Sequence, residues 1–188
     1  MKKETMDFAE RQQEVTICNG GRQALVLLNE RQETREVGMP EDGTEEQTVF
    51  VYNGCWLNVD GGQDVLSAAR KAVAEEIDKY DTSSAVNGFV LNGQTVWLDK
   101  GTRVGLMNST TIAKAAGNET TTLWLGGNRL EVDCDKAIQL LSALEMYALE
   151  CFNVTAAHKK AVGELTSIGE VLAYDVTAGY PEQLKMEV

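Results

Sequence analysis

The side chains suited to bond-making chemistry in this 188-residue chain are few and scattered. The single histidine, His158 in TAAHKKAV, carries the one imidazole able to exchange protons near neutral pH. General-base work needs a partner that orients the ring, and no Cys, Ser or acid stands at a spacing typical of a catalytic set. Lys159 and Lys160 disfavour its protonated form, so a packing or helix-surface role is expected. Two carboxylate pairs, Glu75 with Glu76 and Asp133 with Asp135, could in principle bind a cation or divide acid and base roles. Glycoside cleavage requires two carboxylates facing each other across a cleft, which neighbouring helix positions do not supply. Capping and solvation account for both pairs. Cys18, Cys55, Cys134 and Cys151 are far apart, with no CxxC pair and one histidine to help them, which argues against a zinc site or a thioredoxin-like motif. Reduced, mostly buried thiols are expected. The Gly-Gly pairs that start at Gly20, Gly61 and Gly126 lack the strand–GxGxxG–helix or P-loop context of a phosphate cradle. Catalytic residues, a metal site and a cofactor are therefore not expected, and the protein reads as a non-enzyme.

Composition narrows the classes further. A hydrophobic content of 43% is that of a core-forming chain. With 29 acidic against 17 basic residues the formal net charge is −12, which opposes binding to nucleic acid, because phosphate affinity needs clustered Lys and Arg. The start, MKKETMDFAERQQE, is basic but runs into charged residues rather than an apolar h-region, so it does not read as a signal peptide. Membrane insertion is not expected either, since no apolar run approaches the roughly 18 residues of a spanning segment.

The elements that would position these groups change character near Asp60. Before it, VTIC (15–18), ALVLLN (24–29) and TVFVYNGCWLNV (48–59) have strand chemistry, separated by NGG (19–21) and the acidic loop GMPEDGTEEQ (38–47). Residues 1–60 thus read as a small β module, a candidate docking part, and 61–188 as an α+β domain. Val65, Leu66, Ala69, Ala72, Val73, Ile77 and Tyr80 then follow helical spacing, and DTSSA (81–85) reads as a turn or hinge. A pattern occurs twice: GFVLNGQTVWLDKGTRVGLM (88–107) and TLWLGGNRLEVDCDKAIQLL (122–141) each place two short strands around a turn, then an aspartate, Asp99 or Asp133, before a helix. Two ββα units whose hairpins share one antiparallel sheet are expected, with chance similarity of two capped segments as the competing explanation. Ile138, Leu141, Leu144, Ala148 and Cys151 form the stripe of the second helix, Asn153 is expected to stop it, and Thr155 to cap another running to about Leu165. Ser167 and Glu170 form a capping-box signature for a last short helix. The fold class is α+β.

Aromatic residues are the remaining functional candidates. Trp56, Trp97 and Trp124 lie in strand-like segments, and Trp is enriched at interfaces. Either at least one faces a partner chain, or all three close small cores. In YDVTAGYPEQL (174–184), Tyr174 and Tyr180 flank a stretch that cannot continue a helix. That tail reads as a lid folded back on the helical core, with a strap on a neighbouring subunit as the alternative.

The succession SSAVNGFVLNGQTVWLDKGTRVGL, AAGNETTTLWLGG, LLSALEMYALECFNVTAAHKKAV and YDVTAGYPEQL resembles a domain-of-unknown-function family of tailed phages and prophages, notably of gut Bacteroides-type hosts, over about residues 62–186. The resemblance implies a non-enzymatic virion protein made in the host bacterial cytoplasm, a structural component of the tail or host-attachment apparatus. Its partners would be other phage structural proteins and further copies of itself. A tail-fibre assembly chaperone or adaptor that leaves the particle is the alternative, and an enzyme acting on host polysaccharide a third class without a carboxylate constellation behind it. The family supplies no catalytic residues to carry over.

Overall fold

The computed structural model of the chain describes residues 2–37 and 45–187. In chain order its elements are β1 (Lys2–Phe8), β2 (Val15–Cys18), β3 (Gln23–Val37), β4 (Glu45–Asn58), α1 (Val65–Asp81), α2 (Ser84–Asn87), β5 (Gly88–Leu91), β6 (Gln94–Trp97), α3 (Lys100–Ala115), β7 (Thr120–Leu125), β8 (Asn128–Asp133), α4 (Cys134–Glu164), α5 (Ile168–Ala173) and β9 (Lys185–Met186). This is an α+β chain. It forms two compact units, Met1–Glu76 with Val162–Tyr174, and Ile77–Ala161 with Asp175–Val188.

The first unit contains an antiparallel four-stranded sheet in the order β1-β4-β3-β2. Alternation puts Ala24 and Val26 of β3 opposite Leu57 and Cys55 of β4, all buried, as the strand period of two requires. The pairing of β3 with β4 shifts register between Leu28 and Arg31, where Asn29 takes a φ of 54°, a left-handed conformation Asn tolerates. Lys3 Nζ donates to the Leu172 carbonyl at 3.0 Å, and Arg70 donates to Leu165 O through Nε at 3.1 Å and Nη2 at 2.6 Å. These bonds hold α5 and the end of α4 to the unit. The capping box forms as expected: Glu170 N donates to Ser167 Oγ at 3.2 Å and Ser167 Oγ donates to Glu170 Oε2 at 2.8 Å. Strand β1 was not anticipated, because its Lys-rich, mostly polar sequence reads as a tail. It exists through backbone pairing along β4, from Lys2 with Trp56 to Phe8 with Phe50. Residues 38–44 of the expected acidic loop lie outside the described residues, and 45–47 are strand.

In the second unit both expected hairpins form, with left-handed turn residues Asn92 and Gly93 in one and Gly126 and Gly127 in the other. Each is followed by a helix capped by an aspartate. Asp99 accepts from Thr102 N at 2.9 Å, and Asp133 from Asp135 N at 2.8 Å and Lys136 N at 3.1 Å. The hairpins do not share a sheet, contrary to the expectation. β7-β8 stands as a two-stranded sheet, while β5 takes β9 as a parallel partner on its free edge, with Val90 N donating to Leu184 O at 2.8 Å and Asn92 N to Met186 O at 3.0 Å. The hairpins meet instead at their turns: Asn128 Nδ2 donates to Gln94 Oε1 at 2.9 Å, and a side chain on Gly126 would press within 3.1 Å of Val96. What the two ββα segments share is an apolar core, built from Phe89, Leu91, Val96, Leu123, Val132 and Leu144 among others. DTSSA closes into the start of α2 rather than an open hinge.

Helix α4 also differs from its expected boundaries. It runs unbroken through Asn153 for 31 residues. Thr155 caps nothing; its hydroxyl donates to Asp81 Oδ1 at 2.6 Å and shares a hydrogen bond of 2.8 Å with Tyr180. A mid-helix Thr that finds such a lateral partner does not compete with the helix backbone.

Thr110, in α3, is 1% exposed and its hydroxyl has no hydrogen-bond partner. Thr110→Val replaces the unsatisfied hydroxyl with a methyl of similar volume and is expected to raise stability by about 1 kcal/mol in urea denaturation. Tyr147, whose hydroxyl donates to the Val86 carbonyl, is pushed well above the ordinary tyrosine range, first by burial and then by Cys151. The folded pKa is raised, so this contribution to stability is complete below about pH 10 and is lost as pH rises further. Ultraviolet difference titration should find Tyr147 protonated until the protein unfolds in alkali, and Tyr147→Phe should remove that component of the alkaline transition.

Candidate interaction surface

Within the second unit, the end of β6, the start of α3 and the middle of α4 enclose a groove of about 430 Å³, with Asp81, Thr82 and Asn87 at one side. Strand alternation sets its outer wall: Val96 and Leu98 are buried, so the intervening Trp97 must face outward, where it is 48% exposed. From α4, Ala148, Leu149 and Phe152 complete the apolar lining, with Leu149 49% and Phe152 64% exposed. The polar floor is held by Arg103. Its Nε donates to Glu145 Oε1 at 2.9 Å and its Nη1 to the Leu98 carbonyl at 2.7 Å, so one buried guanidinium ties α3 to α4 and to the end of β6. Asp99 at the rim is drawn below the usual carboxylate range, first by the Thr102 hydroxyl and then by the Thr102 amide. A concave surface with an aromatic wall and a satisfied polar floor can bury an apolar segment of another chain.

The five aromatic candidates do not converge. Trp97 lines the groove; Trp124, between buried Leu123 and Leu125, is 59% exposed on β7, opposite Arg129. Trp56 is half-buried in the first unit, and Tyr174 half-buried at the end of α5. Tyr180 packs within the second unit, edge-on to Tyr80 with ring centroids 5.3 Å apart and stacked on His158 at 5.4 Å. Burial raises the pKa of Tyr180. His158 is 7% exposed and its Nε2 lies 2.8 Å from the Ala178 carbonyl, a packing position beneath the tail. Leu149 and Phe152 were missed by sequence reasoning. The signal was present: once Leu141, Leu144, Ala148 and Cys151 define the inner stripe, Met146, Leu149 and Phe152 fall at three-residue intervals on other faces.

Among the described residues, no group of three or more His, Cys, Asp or Glu is placed to hold a metal ion, and no helix is long and apolar enough to cross a membrane. All four cysteines are free, with Cys55, Cys134 and Cys151 buried and Cys18 half-buried. A second concavity, of about 570 Å³ in the first unit, is bounded by β1, the Asn29 bulge, Cys55 and Leu172. Burial pushes the Cys55 thiol up, away from the thiolate form that reacts.

A family model described as "Domain of unknown function (DUF4376)" matches residues 68–178, a span that contains the groove, Trp124 and Tyr174 and leaves out Trp56 and Tyr180. No curated protein and no solved structure matches the chain.

Because Arg103 is buried and its partners lie on three elements, Arg103→Met should cost about 2 kcal/mol in urea denaturation, more than loss of an exposed ion pair such as Lys71–Asp60.

Proposed function

The chain belongs to the DUF4376 family, and on that premise we propose that it is a non-enzymatic bacteriophage virion protein, a structural component of the tail or host-attachment apparatus that works through protein–protein contacts. The observation that carries this reading is the groove: Trp97, Leu149 and Phe152 stand in solvent beside a fixed Arg103–Glu145 pair, in a chain that otherwise surrounds its core with charge. Aromatic and aliphatic anchors around a satisfied polar centre are what protein interfaces use, and scattered single apolar residues are not. The phage setting is supported by the resemblance of residues 62–186, with YDVTAGYP at its end, to phage and prophage domains. Other structural proteins of the particle are the partners this reading requires.

Mass spectrometry of purified particles tests it. The chain is expected in mature virions at a fixed ratio to known tail proteins. Abundance in infected cells with absence from particles would reject the structural role and favour an assembly chaperone or adaptor. In particles carrying Trp97→Ala or Phe152→Ala, incorporation should fall by roughly tenfold or more with the fold unchanged.

A further inference from the structure

Helix α4 carries two parallel seams. The inner one, through Ala137, Leu141, Leu144, Cys151, Thr155, His158 and Val162, is buried. The outer one, Ser142, Met146, Leu149, Asn153 and Ala156, alternates steps of four and three, the spacing of a coiled-coil seam, and every member is exposed. Its apolar centre, Met146 at 58% and Leu149 at 49% exposure, is widened on one flank by Phe152 at 64%.

We propose that this seam is an interface between two copies of the chain, with their α4 helices packed antiparallel. The proposal rests on the contact-making part of the functional reading and not on its virion setting. Charge decides the orientation. In a parallel pair, Glu145 on one flank would face Glu150 of the second copy, and the two Asn153 side chains would meet at the centre. Like acids in contact oppose pairing, the more so between chains each carrying −12. Antiparallel packing removes the clash. Met146 then lies on Leu149 of the second copy and the reverse, and Ser142 lies opposite Asn153, two groups that can hydrogen-bond. Glu145 stands beside Phe152, and Glu150 beside Ala143. The seam is thus self-complementary about a twofold axis between Met146 and Leu149, as an isologous contact requires.

The size of the surface sets its strength. Met146, Leu149 and Phe152 fall short of the roughly 800 Å² per partner of a standard interface. Trp97, in the groove that Leu149 and Phe152 line, and the small residues along the seam extend the contact to the low end of that range. The dimer is accordingly concentration-dependent. Because the copies repel and the seam is apolar, added salt strengthens association by screening.

Sedimentation equilibrium of the purified full chain across a concentration series tests the proposal. A monomer–dimer equilibrium is expected, shifted toward dimer by salt. Leu149→Glu and Phe152→Glu should each weaken it by roughly tenfold or more, with circular dichroism and melting temperature unchanged because both positions are exposed. For orientation, Ser142→Cys and Asn153→Cys are made in a Cys18→Ser background. A disulfide-linked dimer should form when the two proteins are mixed, and from neither alone. A monomer at every concentration, a dimer indifferent to both glutamate variants, or ready self-linkage of Asn153→Cys overturns the proposal. A monomeric chain found in purified particles would reject the dimer and leave the virion reading standing. A dimeric chain absent from particles would do the opposite.

Discussion

Burial of one face of α4 organises residues 77–161. Ala137, Leu141, Leu144 and Cys151 recur at steps of three, four and seven along that helix and are between 0% and 3% exposed. Each leucine so placed contributes about 1.5–3 kcal/mol relative to exposure. The ion pairs are of a different order: Lys114–Asp135, Arg129–Glu131 and Lys159–Asp78 join exposed side chains, and such pairs contribute roughly 0–1 kcal/mol each. The hairpins β5-β6 and β7-β8, which share no sheet, are held in one body because both turn apolar residues toward the same helix-bearing core.

Polar groups inside that core fix its geometry rather than its total stability. The Val86 carbonyl, at the end of α2, accepts from the Tyr147 hydroxyl and from the Cys151 thiol at 3.3 Å, so two consecutive turns of α4 are registered against one backbone atom. Tyr180 does the same for the C-terminal segment, sharing a bond with Thr155, which itself donates to Asp81. A buried polar group left unpaired costs more than a formed bond contributes. A slip of either element by one residue would orphan several such groups at once. The tail is therefore not a frayed end: Pro181 follows a Tyr that is already locked, and β9 then completes the edge of β5.

Local signals were legible wherever chemistry and backbone agree. Asn92-Gly93 and Gly126-Gly127 announced turns, because few residues accept a left-handed conformation, and Asp99, Asp133 and Ser167 announced helix starts through side-chain acceptors. Legibility failed where a non-local partner decides. β1 has a polar sequence and is a strand because β4 offers it backbone groups to pair with. Asn153 and Thr155 look like a helix end, yet Thr155 finds its partner on Asp81, distant in sequence. Which strand joins β5 is likewise a tertiary choice, between a hairpin that resembles its own and a two-residue segment near the C-terminus. For the groove, Trp97 was visible as an interface candidate by type alone. Leu149 and Phe152 were hidden because an apolar residue in a helix is counted toward its core until the inner stripe is assigned.

That assignment has a functional corollary. A helix with an inner seam must put its other positions outward, and this chain elsewhere fills such positions with charged or polar groups: Lys136 and Gln139 early in α4, Lys159 and Lys160 late. Between them, Met146, Leu149 and Phe152 break the rule over two turns, next to a tryptophan that strand alternation also turns outward. None is needed to fill the core, which already excludes solvent from its residues. Exposed apolar side chains add nothing to folding and raise the hazard of nonspecific association, so a cluster of them flanked by an anchored Arg103–Glu145 pair is coherent only as a surface that another protein covers.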